Sequence, residues 1–304
     1  MTIRVSFAAH NIYLESYKEW LSQQPIAQNT QRVYYSRIKQ FLLFREYVQI
    51  IDQPLSDLKT TNEAISLYLN FLKQSKSKVK SINANIDALQ NFSCFLGLNI
   101  SNLKRERYYH KPAKVLRAKE QEKFLLAIRS EKSARDIALC MVLLYTGLRI
   151  SDCARLDVSD VLIPADANDD HKSSENKCGP NNTVACLSFK KNASAHFTKI
   201  PLSITTALAL KRWLKEREKL AVNSRQTALW LTNKAERLSV SGITFVIRRI
   251  GWQAQLVVSA EILRRTWLAG AIDQLSQNEL ADKCGGYISA TTVKRSGIIL
   301  PEQK

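Results

Sequence analysis

Arg149 stands in the run Thr146-Gly147-Leu148-Arg149-Ile150-Ser151-Asp152, and Arg264 in Glu261-Ile262-Leu263-Arg264-Arg265-Thr266-Trp267. Two guanidiniums from such distant segments can clamp the nonbridging oxygens of one phosphate, because each presents a planar fork of donors. Lys190-Lys191 supplies a flexible positive charge between them in sequence. Exchange at a phosphodiester asks for more than this clamp. It needs a nucleophile, and an acid for the leaving oxygen. An arginine on a basic chain is usually solvated or ion-paired, so Thr146–Arg149 alone carries little weight.

The elements that must position these residues read as helices. Apolar residues recur at helical spacing over His10–Gln23 and again over Thr30–Val48, with Asn29-Thr30 as the cap pair of the second. Residues 61–73, opened by Thr61, and 80–96, opened by Ser81 and stopped at Gly97, complete a four-helix bundle. Lys119–Ile128 and the apolar Ala134–Thr146 follow. Gly147 lets the chain turn sharply before Arg149, and Ser259 caps the helix that carries Arg264. Val184–Phe189 and Phe197–Leu202 alternate like paired strands joined by Lys190–Ala195. Further helices are expected at 204–221, 240–250, 260–275 and 277–284. Residues 164–183, polar and poor in apolar side chains, read as a flexible insertion. The fold class is therefore mainly α with a small β-sheet, an α+β chain. Its domains are a helical one at 1–101, a basic linker at 102–118 and a second domain at 119–304.

The 304 residues carry a formal charge of +18, with a pI near 9.7. An excess that large points to a polyanion as partner. The linker repeats the theme: Lys104, Arg105, Arg107, Lys111, Lys114 and Arg117 face one acid, Glu106. It reads as a segment crossing phosphates. Six cysteines form no CxxC pair and read as buried free thiols of a reducing cytosol. Four histidines lack metal-ligand spacing, so no metal is expected. No stretch reaches the ~18 apolar residues of a membrane span, and the N-terminus lacks the apolar region of a signal peptide.

The order of these features resembles the tyrosine recombinase (phage integrase) family over about residues 10–296. Thr146–Asp160 is similar to the family's first arginine box, including its acid at Asp152. Lys190-Lys191 stands where the family places its hairpin lysine, in either of two registers. Glu261–Thr266 is similar to its H-x-L-R-R-T, and Cys284–Thr292 to its L-G-H-x-x-x-x-T-T. Thr30 and Lys80-Ser81-Ile82-Asn83 look like its core-binding domain. The resemblance implies a helical core-binding domain and a catalytic-like domain that close round duplex DNA as a C-shaped clamp, without metal or organic cofactor.

Departures from the family pattern bear on the chemistry. Arg149, Arg264 and one of Lys190 or Lys191 persist. Glu261 stands at the family's first histidine, where its charge would repel a phosphate. Gly286, or Tyr287 if the register slips by one, stands at the second. The nucleophile, nine residues later, would be Arg295 or Ser296, and neither is a tyrosine. Arginine is no nucleophile at neutral pH, and a serine without a base is a poor one. Tyr287 is the nearby phenol, about two helical turns upstream of the expected place. The tail after Ser296 is short for a helix that docks a neighbouring subunit.

The expected function is sequence-specific binding of double-stranded DNA by a catalytically inactive member. Such a protein resembles the target selectors of Tn7-like transposons, with a transposase or an ATPase subunit as partner. The setting is then the bacterial cytoplasm, at the nucleoid. Two alternatives stand beside it: an active recombinase with Tyr287 as displaced nucleophile, and a DNA-binding regulator. Oligomeric state is open. Phosphate contacts are expected from Lys73, Lys76, Lys78, Lys80 and the linker. Asn83, Asn85 and Gln90 on the fourth helix are expected to enter a major groove. In the second domain Lys234, Arg237, Ser239, Ser241, Arg248 and Arg249, together with Arg149, Lys190, Lys191, Arg264 and Arg265, make up the rest of the interface.

Overall fold

The computed structural model describes residues 2–48, 55, 57–100, 103–107, 114–164, 185–190, 197–221 and 226–274. The chain forms two compact units, Met1–His110 and Lys111–Lys304. The division falls inside the stretch read as linker, so residues 103–107 belong to the first unit.

That unit is four helices: α1 (Thr2–Gln23), α2 (Gln28–Tyr47), α3 (Leu58–Gln74) and α4 (Val79–Phe95). Their helically spaced apolar residues converge on one core around Tyr17, Ile38, Phe41, Ile65, Leu89 and Phe92. Tyr17 meets Phe92 edge-on, with ring centroids 5.0 Å apart, and its hydroxyl donates to Asn91 Oδ1 at 2.7 Å. The helix starts differ from the sequence reading. Asp57 caps α3 by accepting from the Thr60 amide at 2.9 Å, while Thr61 is buried and donates to the Leu55 carbonyl at 3.0 Å. A carboxylate outcompetes a threonine one turn further on. Likewise α2 starts after Ala27, and α4 after Lys78 with Ser81 inside its first turn.

In the second unit come α5 (Ala118–Ser130), α6 (Ala134–Thr146), α7 (Ile150–Arg155), β1 (Val161–Leu162), β2 (Cys186–Lys190), β3 (Phe197–Pro201), α8 (Ile204–Ala221), α9 (Val240–Gln253) and α10 (Ala260–Gln274). The strands form an antiparallel sheet in the order β1-β2-β3, with Leu187 opposite Ile200. β1 is unexpected, because two residues are too few to show alternation. α6 is apolar nearly all round and packs against α5, α8, α9 and α10. This is the burial that such a pattern demands.

Cys140 and Cys153 are buried, and burial pushes the Cys153 thiol up to about 12. Cys94 is exposed, against the expectation. Its place on α4 faces away from the core that Leu89 and Phe92 enter. The insertion at 164–183, the 277–284 helix and Cys178 and Cys284 lie outside the described residues, save Pro164. Among the described residues no helix is long and apolar enough to cross a membrane, and no cluster of His, Cys, Asp and Glu could hold a metal ion.

Candidate nucleic-acid interface

The two arginine segments meet. α6 ends where Gly147 takes a left-handed conformation, φ 60°, which favours glycine. Leu148 is fully buried and anchors the turn. Arg149 then occupies the N-cap of α7, and its carbonyl accepts from the amides of Asp152 and Cys153 at 3.0 and 2.9 Å. α10 closes on this turn from the other side. Arg264 is 5% exposed, and its Nη1 donates to the Gly147 carbonyl. One helical turn on, the Trp267 ring lies against the Gly147 Cα, where any Cβ would intrude. Thr266 fixes α10 at its base by accepting from the Leu116 amide at 2.8 Å.

Arg149 opens onto a cleft of about 710 Å³ with Ser151, Asp152, Arg155, Arg237 and Ser239 among its walls. Arg155 is a cleft residue missed in the sequence reading, although positions 149, 152 and 155 share one face of a short helix. It pairs with Asp152, which is buried. α9 begins at the same cleft, where Ser239 caps it by accepting from the Gly242 amide at 3.1 Å.

Arg237, Arg249 and Arg265, all expected to contact phosphate, each pair with acids of the chain itself. Arg237 pairs with Asp157 at 2.5 Å and donates to the carbonyls of Ala154 and Leu156, both at 3.1 Å. Its fork holds the cleft wall. Arg249 pairs with Glu131 at 2.5 Å and Asp136 at 2.8 Å, tying α9 to α5 and α6. Arg265 pairs with the exposed Glu261 at 2.9 Å one turn apart on α10. Lys190 and Ser241 are exposed, as is Arg248. Lys191, Gly286, Tyr287, Arg295 and Lys111 lie outside the described residues.

In the first unit the polar face of α4 is partly covered by the chain itself. Asn83 donates to the Glu106 carbonyl at 2.9 Å and accepts from the Glu106 amide at 2.8 Å. Arg105 donates to Asp87 at 2.8 and 2.6 Å, and Gln90 to the Leu103 carbonyl at 3.1 Å. Positions 83, 87 and 90 share one helix face, and residues 103–107 lie strapped along it. Asn85 is buried and donates to the Ser81 carbonyl at 2.9 Å. Lys73 pairs with Glu106 at 2.6 Å. These amides therefore spend part of their hydrogen-bonding capacity on the chain's own backbone, a use that the periodicity of a polar face does not reveal. Lys76, Lys78, Lys80, Lys104, Arg107 and Lys114 remain exposed. Asn83→Ala is expected to cost about 1–2 kcal/mol through its two lost hydrogen bonds. The amide of Glu106 should then exchange hydrogen faster, and an unchanged exchange rate would refute the strap.

The profile of the Phage integrase family matches residues 114–295. The chain is 24% identical over 291 residues to the TnP I resolvase of Bacillus thuringiensis, covering 92% of this chain and 93% of that one. It is 21% identical over 287 residues to tyrosine recombinase XerD of Oceanobacillus iheyensis, covering 90% and 88%. Among solved structures it resembles a lambda integrase dimer bound to a COC′ core site, with TM-score 0.66, 18% identity and 97% of each chain covered. It also resembles XerH site-specific recombinase bound to palindromic difH substrate, with TM-score 0.67, 16% identity and coverage of 93% and 90%. The matched span holds both arginine segments, the small sheet and the turn they share, and on that match the chain belongs to the phage integrase family of tyrosine recombinases.

Proposed function

We propose that this protein binds double-stranded DNA sequence-specifically as a catalytically inactive recombinase-like protein, and that it marks a target or attachment site for a mobile element's transposase. One observation carries the reading: Arg149 lines an arginine-walled cleft, while the chain has no tyrosine where the family's pattern would place its nucleophile. Arg149 stands at the mouth of an arginine-lined cleft with Arg264 packed behind its turn. At the histidine place stands Glu261, engaged with Arg265, and the nucleophile place is Arg295 or Ser296. Cationic groups that hold a phosphate without a nucleophile give binding and register rather than cleavage. The names of several relatives support a DNA substrate. A recombinase with Tyr287 as displaced nucleophile is the second reading, favoured by relatives named as a resolvase and as tyrosine recombinases.

The test takes duplexes from a binding selection, nicks them beside the bound site and runs the mixture on a denaturing gel. The expected result is tight, salt-sensitive binding with no covalent protein–DNA band. In Arg149→Ala the slope of log affinity against log salt should fall by about one. A covalent band that disappears in Tyr287→Phe would establish the second reading in place of the first. For the transposition role, element insertions into a plasmid should cluster at a fixed distance from the selected sequence, and insertions spread at random would refute it.

A further inference from the structure

α9 carries its apolar stripe inward, with Ile243, Val246, Ile247 and Ile250 buried. Its opposite face should therefore be polar, yet it also carries two large aromatic side chains. Phe245 is 68% exposed and Trp252 is 83% exposed. They lie two helical turns apart on one line, with Ser241 before them and Arg248 between them, all exposed. Large aromatic side chains aligned on an outer face mark a surface that something covers. The start of the same helix, Ser239 and Val240, lines the arginine cleft. α9 contains no acidic residue, so nothing along it repels a polyanion.

We infer that this stripe reads thymine: Phe245 and Trp252 seat on thymine 5-methyl groups in a major groove, and Arg248 takes a guanine edge between them. This rests on the DNA-binding reading of the preceding section and deepens it. The major groove admits a helix, and it displays the thymine methyl as its apolar feature and guanine O6 and N7 as a paired acceptor for arginine. Phe245 and Trp252 are about 10 Å apart along the helix axis. That matches about three base steps of DNA at ~3.4 Å each. The recognised half-site should thus carry two thymines about three steps apart with a guanine between them.

The experiment compares binding selections for the full chain and for Phe245→Ser, Trp252→Gln and Arg248→Gln. Both aromatic side chains are largely exposed, so the melting temperature should not move. In the duplex selected by the parent chain, deoxyuridine then replaces each thymidine in turn, which removes the methyl and leaves pairing intact. Loss of one buried methyl should weaken binding about fourfold. The same replacement should have no further effect in the variant that lacks the aromatic partner. Duplex binding that is indifferent to deoxyuridine, or variants that select the parent's sites, would overturn the thymine reading and leave DNA binding standing. Absence of binding to any duplex would overturn both.

Discussion

Gly147→Ala lowers the unfolding free energy of the second unit by about 2–5 kcal/mol, read as a lower urea midpoint at unchanged slope. Two costs add. A left-handed backbone costs an L-residue roughly 1–2 kcal/mol, and φ at Gly147 is +60°. The new methyl would also sit 2.9 Å from Trp267 Cδ2 and nearer still to Cε3. That overpacks the half-buried Trp267 ring, for about 1–3 kcal/mol more. Gly97 is the internal control. It has φ +69° and nothing within 4 Å of an added Cβ, so Gly97→Ala should show the backbone cost alone. Trp267→Leu in the Gly147→Ala background should return the packing part and not the backbone part, a coupling that a double-mutant cycle reads directly. If Gly147→Ala and Gly97→Ala cost the same, the Trp267 contact does not hold the Arg149 turn.

Arg249→Met is the second large effect, about 3 kcal/mol of destabilisation. Asp136 is 4% exposed, and removal of Arg249 leaves Glu131 and half of Asp136 without their counter-charge. Arg135 still pairs with Asp136 at 2.7 Å, which keeps the loss at the lower end of what a broken buried pair costs. The pH dependence has a definite sign. Burial pushes the Glu131 carboxyl up, but hydrogen bonds from Arg249 and from the Ser133 and Lys132 amides, with the Arg249 charge, outweigh it and hold it below its ordinary 4.5. Its stabilisation is therefore complete above about pH 4.5 and is lost as pH falls through the lower folded value. Urea melts between pH 3 and 7 should show this acid loss in the parent chain and a smaller one in Arg249→Met. An equal acid loss in both would mean that Arg249 does not set the Glu131 ionisation.

These two positions also show how the sequence and the structure divide the account. Gly147 was readable as a turn before Arg149, because glycine after an apolar helix signals a left-handed close. That Trp267 lies on it was not readable, since the ring comes from a helix far along the chain. Arg249 looked like one more basic residue on a groove-facing helix. Its two carboxylates belong to α5 and α6, and long-range pairing leaves no local pattern. The polar face of α4 misled for the same reason. Asn83, Asp87 and Gln90 carry the periodicity of an exposed face, and such a face can meet the chain's own backbone as readily as a base edge.

The sequence by itself determined the helical periodicity, the basic charge and the two segments that carry Arg149 and Arg264 with Lys190-Lys191 between them. These are matters of residue type and local spacing, and local spacing is written in the chain. Only the tertiary structure decided which cations face outward. Arg237, Arg249, Arg265 and Arg155 are engaged by Asp157, by Glu131 with Asp136, by Glu261 and by Asp152, and Arg149, Arg155 and Arg237 line a cleft beside the start of α9. It also showed Phe245 and Trp252 on the outside of a helix whose other face is core. A guanidinium's role depends on the acid or carbonyl within its reach, and an aromatic ring's role on the side of the helix that finds a partner. Both are set by packing between segments that the sequence keeps far apart.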